Sequence, residues 1–135
     1  MGFSGNLGEL DRMAREMGRL EAGLIRRVAR EGAFEVRREL GITLAARQTP
    51  YGAPWAPRKD GKRLADMSDA VRVTSAEATI TARTVGKEAA LHHSGTSRMP
   101  ARRMIPMPSS SMPTAWKLGL DRAFRRSVAF FLRSA

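Results

Sequence analysis

The chain has 135 residues, no cysteine, 42% hydrophobic and 27% charged residues, and a formal net charge of +11. The missing cysteines exclude disulfide staples, thiolate catalysis and cysteine-ligated zinc, the apolar and charged fractions are those of a folded chain, and the length argues for one domain over residues 1–135. No apolar run approaches the roughly 18 residues needed to span a bilayer, and residues 1–6 lack the basic-then-apolar order of a secretory signal.

Residues 7–46 read as an N-terminal helical region. Leu7, Leu10, Met13, Met17, Leu20, Leu24 and Val28 recur at steps of three and four and line one apolar stripe. Arg and Glu fill the other faces, and Glu31 and Glu35 with Arg30, Arg37 and Arg38 suit a solvated surface. Gly18, Gly23 and Gly32 each cost roughly 1 kcal/mol relative to Ala inside a helix. They predict two helices with a break near residues 18–23, or one helix bent there. A second apolar set, Phe34, Leu40, Ile42 and Leu44, carries the pattern to about Ala46.

Residues 47–63 form a Pro/Gly/Trp loop, because Pro50, Pro54 and Pro57 fix φ and remove donors. Trp55 between Pro54 and Pro57 reads either as a cap over the core or as an anchor in a subunit interface. Residues 64–112 hold a small sheet and loops. A short helix is expected over 64–70. Residues 71–74 and 79–85 alternate apolar with polar as half-buried strands do, joined through 75–77. Residues 88–95 read as a helical turn closed by Gly95. Residues 96–113, rich in Ser, Pro and Met, read as an extended loop in which 104–108 is a candidate edge strand. Residues 113–133 form a C-terminal helix with Thr114 as N-cap. Trp116, Leu120, Phe124, Val128 and Phe131 make its apolar stripe, with Arg122, Arg125, Arg126 and Arg133 off it. The predicted fold class is α+β: long N-terminal amphipathic helices, a small antiparallel sheet and a C-terminal helix.

The chemistry-bearing residues give no catalytic or metal pattern. His92 and His93 are the only histidines, and neighbours on a helix point about 100° apart. A structural hydrogen bond near the turn is the expected role. A hydrolase would have His92 as its one evident general base. Ser109, Ser110 and Ser111 lack a nucleophile-elbow context, and no HExxH, EF-hand or phosphate-cradling glycine pattern occurs. The charge is uneven. Residues 1–40 carry 8 basic and 7 acidic side chains, a net of +1; residues 41–135 carry 16 and 6, a net of +10. A field of that sign favours nucleic acid or an acidic protein surface. No helix-turn-helix, zinc-finger or RNA-recognition pattern points to base-specific reading.

The order of motifs carries a resemblance. The loop at 49–57, the leucine-led segment from Leu64, the strand pair, the turn at Ala89, Leu91, His92 and Gly95, the stretch Pro100-Ala101-Arg102 followed by Met104-Ile105-Pro106, and the closing helix come in one sequence. In that order the chain resembles the phage virion morphogenesis, or tail completion, proteins of Mu-like phages and their relatives among siphophage tail components. Glu88, His93 and Met104 depart from the tyrosine, glutamine and aromatic usual in that pattern. The resemblance covers about residues 7–130. It implies a structural protein of a tailed phage particle, without catalysis or cofactor, completing the tail or forming part of the neck at the head–tail junction. Such a protein acts as several copies in a ring, in the virion and, during assembly, in the host cytoplasm. The implied partners are tail tube, terminator or connector proteins, with non-specific contact to packaged DNA and no membrane. The contact candidates in this chain are Trp55, Arg58, Lys59, His92, Arg98, Arg102 and Arg103. The competing reading is a non-sequence-specific nucleic-acid-binding protein.

Overall fold

A computed structural model describes residues 7–62, 66–107 and 110–134; the side chains of residues 7–10, 13, 14, 17 and 134 also lie outside the description. The elements, in chain order, are α1 (Leu7–Ala45), β1 (Val71–Ala76), β2 (Thr79–Thr84), α2 (Lys87–Ser94) and α3 (Thr114–Ser134). Three helices and one antiparallel β-hairpin make an α+β layout, framed by a long first helix and a closing helix.

Helix α1 is one uninterrupted helix of 39 residues, about 58 Å long at the ordinary rise. Of the two expectations, one helix runs through residues 18–23 and two helices do not form; tertiary packing accounts for Gly23 and Gly32. A methyl group on Gly32 would lie 2.7 Å from Ile80 Cδ1 and 2.9 Å from Leu120 Cδ2, and one on Gly23 would lie 3.3 Å from Phe131 Cζ. These glycines let β2 and α3 approach the helix; they do not interrupt it. The buried stripe is Ala29, Ala33, Val36, Leu40 and Leu44, offset from the stripe expected further upstream. Leu20 is exposed, and the side chains of Leu7, Leu10, Met13 and Met17 lie outside the described residues. Phe34 and Ile42, expected inside, are 57% and 54% exposed. Phe34 follows the buried Ala33 by one position, a turn of about 100°, which swings it off the stripe.

The C-terminus of α1 is closed by a Schellman pair: Gln48 N–H donates to Thr43 O at 2.9 Å and Arg47 N–H to Leu44 O at 3.2 Å, with Arg47 at φ 55. The described residues after the gap at 63–65 are not helical. Ser68 N–H donates to Asp66 Oδ1 and Ala70 N–H to Met67 O, a turn in place of the helix expected over 64–70, whose first residues are outside the description. β1 runs to Ala76, two residues beyond expectation. Glu77 adopts φ 50, and this left-handed residue permits a two-residue connection with Ser75 opposite Ile80 and Ala76 opposite Thr79.

No third strand forms among the described residues. Around the candidate edge strand at 104–108 the backbone bonds elsewhere: Met104 N–H donates to His93 Nδ1, the Met107 carbonyl accepts from Ser110 N–H, and just before the segment the carbonyl of Arg103 accepts from Trp55 Nε1. Pro108 lies outside the described residues. Helix α3 starts at Thr114 itself, so its cap is Pro113, one residue earlier than expected. The carbonyl of the buried Pro113 accepts from Lys117 N–H, and Thr114 is already helical.

The core joins the α1 stripe to Trp55, Ala70, Val73, Ala89, Met104 and Trp116. Where α3 meets α1, its buried residues include Gly119, Ala123 and Ser127. Small residues there bring the helices close, and Phe124, expected in the stripe, is left 52% exposed. The gap between the helices is bridged by ions. Glu35 is 2% exposed, and Arg126 Nη1 lies 2.8 Å and Arg122 Nη2 3.3 Å from its carboxylate. Arg126 also reaches Glu31 at 3.4 Å. Glu31 and Glu35, expected on a solvated face, are therefore the acidic half of an interhelical cluster.

Candidate functional site

The loop after α1 folds on itself before it reaches the core. Gln48 bridges Pro54, Thr49 N–H donates to Ala53 O at 2.7 Å, and Thr49 Oγ1 accepts from the backbone of Tyr51 and Ala53. Trp55 N–H then donates to Arg47 O, so the tryptophan is delivered inward at a fixed point. Trp55 is 7% exposed. It is the cap over the core, the first of its two readings, and offers little surface to a partner. Tyr51 Oη donates to the carbonyl of Ser111, tying the loop tip to the approach of α3.

Helix α2 presents Ala89 to the core and both histidines to the loop. Gly95 ends it at φ 77, with its N–H on Leu91 O at 2.8 Å. A tight Thr96–Met99 bridge follows, holding Arg98 on the turn through Thr96 Oγ1. The chain then returns past α2, where Arg102 N–H donates to His92 O at 2.6 Å.

The Arg102 side chain is the knot of this region. It is 4% exposed, and Nε donates to Ala56 O at 2.9 Å, Nη2 to Pro57 O at 3.3 Å and Nη1 to His92 Nδ1 at 3.2 Å. A planar, permanently charged fork suits three acceptors at fixed angles. Arginine has no acceptor, so His92 Nδ1 must carry a lone pair, and the neutral ring holds its proton on Nε2. His93 is set the same way by Met104 N–H at 3.1 Å. Arg103 Nη1 closes the set on His93 O at 3.0 Å. Burial, then the Arg102 charge, push the His92 pKa below its usual 6.5, against an opposing pull from Glu88; burial and Arg103 do the same for His93. Both rings serve as neutral hydrogen-bond acceptors, which is the structural role expected of them.

The outer face of this knot is a concavity of about 430 Å³. Arg58, Lys59, His92, Arg98 and Arg102 line it, together with Asp60 and Glu88. Five of the seven contact candidates thus converge on one surface, while Trp55 and Arg103 stand behind it. Arg58 is committed to Asp60 through paired bonds of 2.7 and 3.1 Å. The Lys62 N–H and then Arg58 hold the Asp60 carboxyl below its ordinary range. Lys59 and Arg98 make no ion pair with the described residues and remain available to an anion. Carboxylate and phosphate are both within what two such cations recognise.

Periodicity puts Glu31 and Glu35 on a solvated face and Arg122 and Arg126 off the apolar stripe, without pairing them. A signal existed: 31/35 on one helix and 122/126 on the other share the same four-residue spacing with opposite sign. Among the described residues no group of three or more His, Asp or Glu is placed to hold a metal ion, and no helix is long and apolar enough to cross a membrane. No protein-family model matches the chain, and no curated protein or solved structure is significantly similar to it.

Proposed function

We propose that this chain is a structural protein of a tailed phage particle, completing the tail or contributing to the neck at the head–tail junction through subunit contacts in a ring. One observation carries the reading. The motifs that give the resemblance (the Trp55 loop, the His92–Gly95 turn and the Pro100–Arg102 stretch) are hydrogen-bonded into a single unit, with Arg102 joined to both of the others. Their order along the chain thereby corresponds to one physical object, a rigid corner that presents a basic face. A part that works by contact needs such a corner more than it needs titratable groups poised for proton transfer, and the two histidines here are spent on holding it. Lys59 and Arg98 are the groups offered to an acidic rim of a tube, terminator or connector subunit.

The test is composition and position in the particle. Purified virions should contain the chain in fixed stoichiometry, with density at the neck or tail top in a reconstruction. Virions that lack it entirely while remaining complete would overturn the reading. The second reading, non-specific nucleic-acid binding, is favoured by the same basic concavity and by the +10 charge of residues 41–135. It predicts that the isolated chain binds duplex DNA with a steep salt dependence.

A further inference from the structure

The hairpin leaves one edge open. Among the described residues β2 has β1 as its single strand neighbour. On β1, Arg37 of α1 donates to the carbonyl of Val73 at 2.9 Å. No described side chain or backbone outside the hairpin bonds to β2. An uncovered edge is a template for another strand, and a two-stranded hairpin gains stability from a third.

Beside that edge runs an apolar trough. Ile80 and Ala82 of β2 form one wall, Trp116 and Leu120 of α3 the other, and Val36 of α1 lies between, around about 390 Å³ of space. A second hollow of about 350 Å³ continues it past Ala78, Ile80 and Leu120 to Ile25 and Phe124. Ile25, Met112 and Phe124 are 42%, 43% and 52% exposed. Contiguous exposed apolar surface of this kind marks an interaction site. Trp116 lines the trough with its largely buried ring.

The other face of the hairpin states the partner's charge. Arg72 and Arg83 lie directly opposite each other across the strand pair, both exposed and with no acidic partner among the described residues. Like charges in that position destabilise a sheet. A second copy of the hairpin would bring further arginine to a face already carrying two, within a chain of net charge +11.

We propose that β2 and its trough take an extended segment of an acidic partner protein, added as a third strand, with apolar side chains in the trough and carboxylates beside Arg83. Main-chain bonds supply affinity and alternate side chains supply selectivity in this mode of recognition. The inference stands on the hairpin edge and does not depend on the basic concavity.

Isotope-labelled protein titrated with a short blocked peptide of alternating Val and Glu, and with its Val–Lys counterpart, tests it. The amides of 79–84 and the Trp116 indole N–H should move together, and the Val–Glu peptide should bind about tenfold more tightly at low salt. In the Arg83→Glu variant, where the change is on the exposed face, the preference should reverse. A Val–Glu peptide N-methylated at every residue should lose binding. Absence of movement at 79–84, equal affinity for the two peptides, undiminished binding of the methylated one, or β2 paired with a second copy in the free protein would each overturn it.

Discussion

Arg126 Nη1 lies 2.8 Å from Oε1 of Glu35, a carboxylate buried between the first helix and the last. Burial alone would raise the Glu35 pKa; hydrogen bonds from Arg126 and Arg122 and their charges outweigh it and hold the carboxyl below its usual 4.5. The same contacts raise the Arg126 pKa. The helix pair is thus registered by a charge cluster whose basic members are half in water.

Removing the acidic member should therefore cost more than removing one basic member. Glu35→Ala should lower unfolding stability by about 2–4 kcal/mol, and Arg126→Ala by about 1–2 kcal/mol because Arg122 remains. Because the folded-state pKa is the lower one, the stabilisation is complete above about pH 4.5 and fades as pH falls, the unfolded chain taking up the proton first. Urea melts of the wild type and Glu35→Gln across that range measure it; parallel curves for the two proteins would contradict the assignment.

The histidine pair gives a second pH dependence, at higher pH. Each ring accepts a bond at Nδ1, and each folded pKa lies below 6.5. The unfolded chain binds more protons just below pH 6.5, so stability should decline as pH drops through that value and be unaffected above it. Thermal melts should show the decline in wild type and a shallower one in a His92→Gln, His93→Gln double variant. An increase in stability on acidification between pH 7 and 6 would contradict the neutral, accepting roles.

Three glycines should separate by environment. A methyl on Gly95 meets Ala101 N at 2.8 Å at a φ of +77, so Gly95→Ala should cost more than about 2 kcal/mol. Gly32→Ala presses on Ile80 and Leu120 and should cost about 1–3 kcal/mol. Gly18 has nothing within 4 Å, and Gly18→Ala should stabilise by up to about 1 kcal/mol. Denaturant midpoints order the three variants; equal effects would mean that backbone propensity alone governs them.

Lys59 and Arg98 are the cations of the concavity that make no ion pair among the described residues. If DNA contacts the chain there, Lys59→Gln with Arg98→Gln should reduce the slope of log affinity against log salt by about 1.8 while leaving the melting curve unchanged. An unaltered slope, read by fluorescence anisotropy, would move any DNA contact off this surface.

Periodicity along the chain was enough to locate α1, the hairpin, the Gly95 stop and α3, since an apolar repeat of 3.6 or 2 residues reports the element whatever it packs against. The same repeat does not say what stands opposite. Glu35 looks like any solvated helix glutamate until Arg122 and Arg126 arrive from the far end of the chain. Gly23 and Gly32 look like weak points until Phe131, Ile80 and Leu120 fill the space they leave. Arg102 looks like a surface cation until the carbonyls of Ala56 and Pro57 and the ring of His92 close around it. Composition and local pattern decided which segments are helical, extended or turning, and that the second part of the chain is basic. Tertiary structure decided which charges are buried, which glycines are required and which edge stays open, because each of those depends on groups brought together only when loop entropy has been overcome by packing.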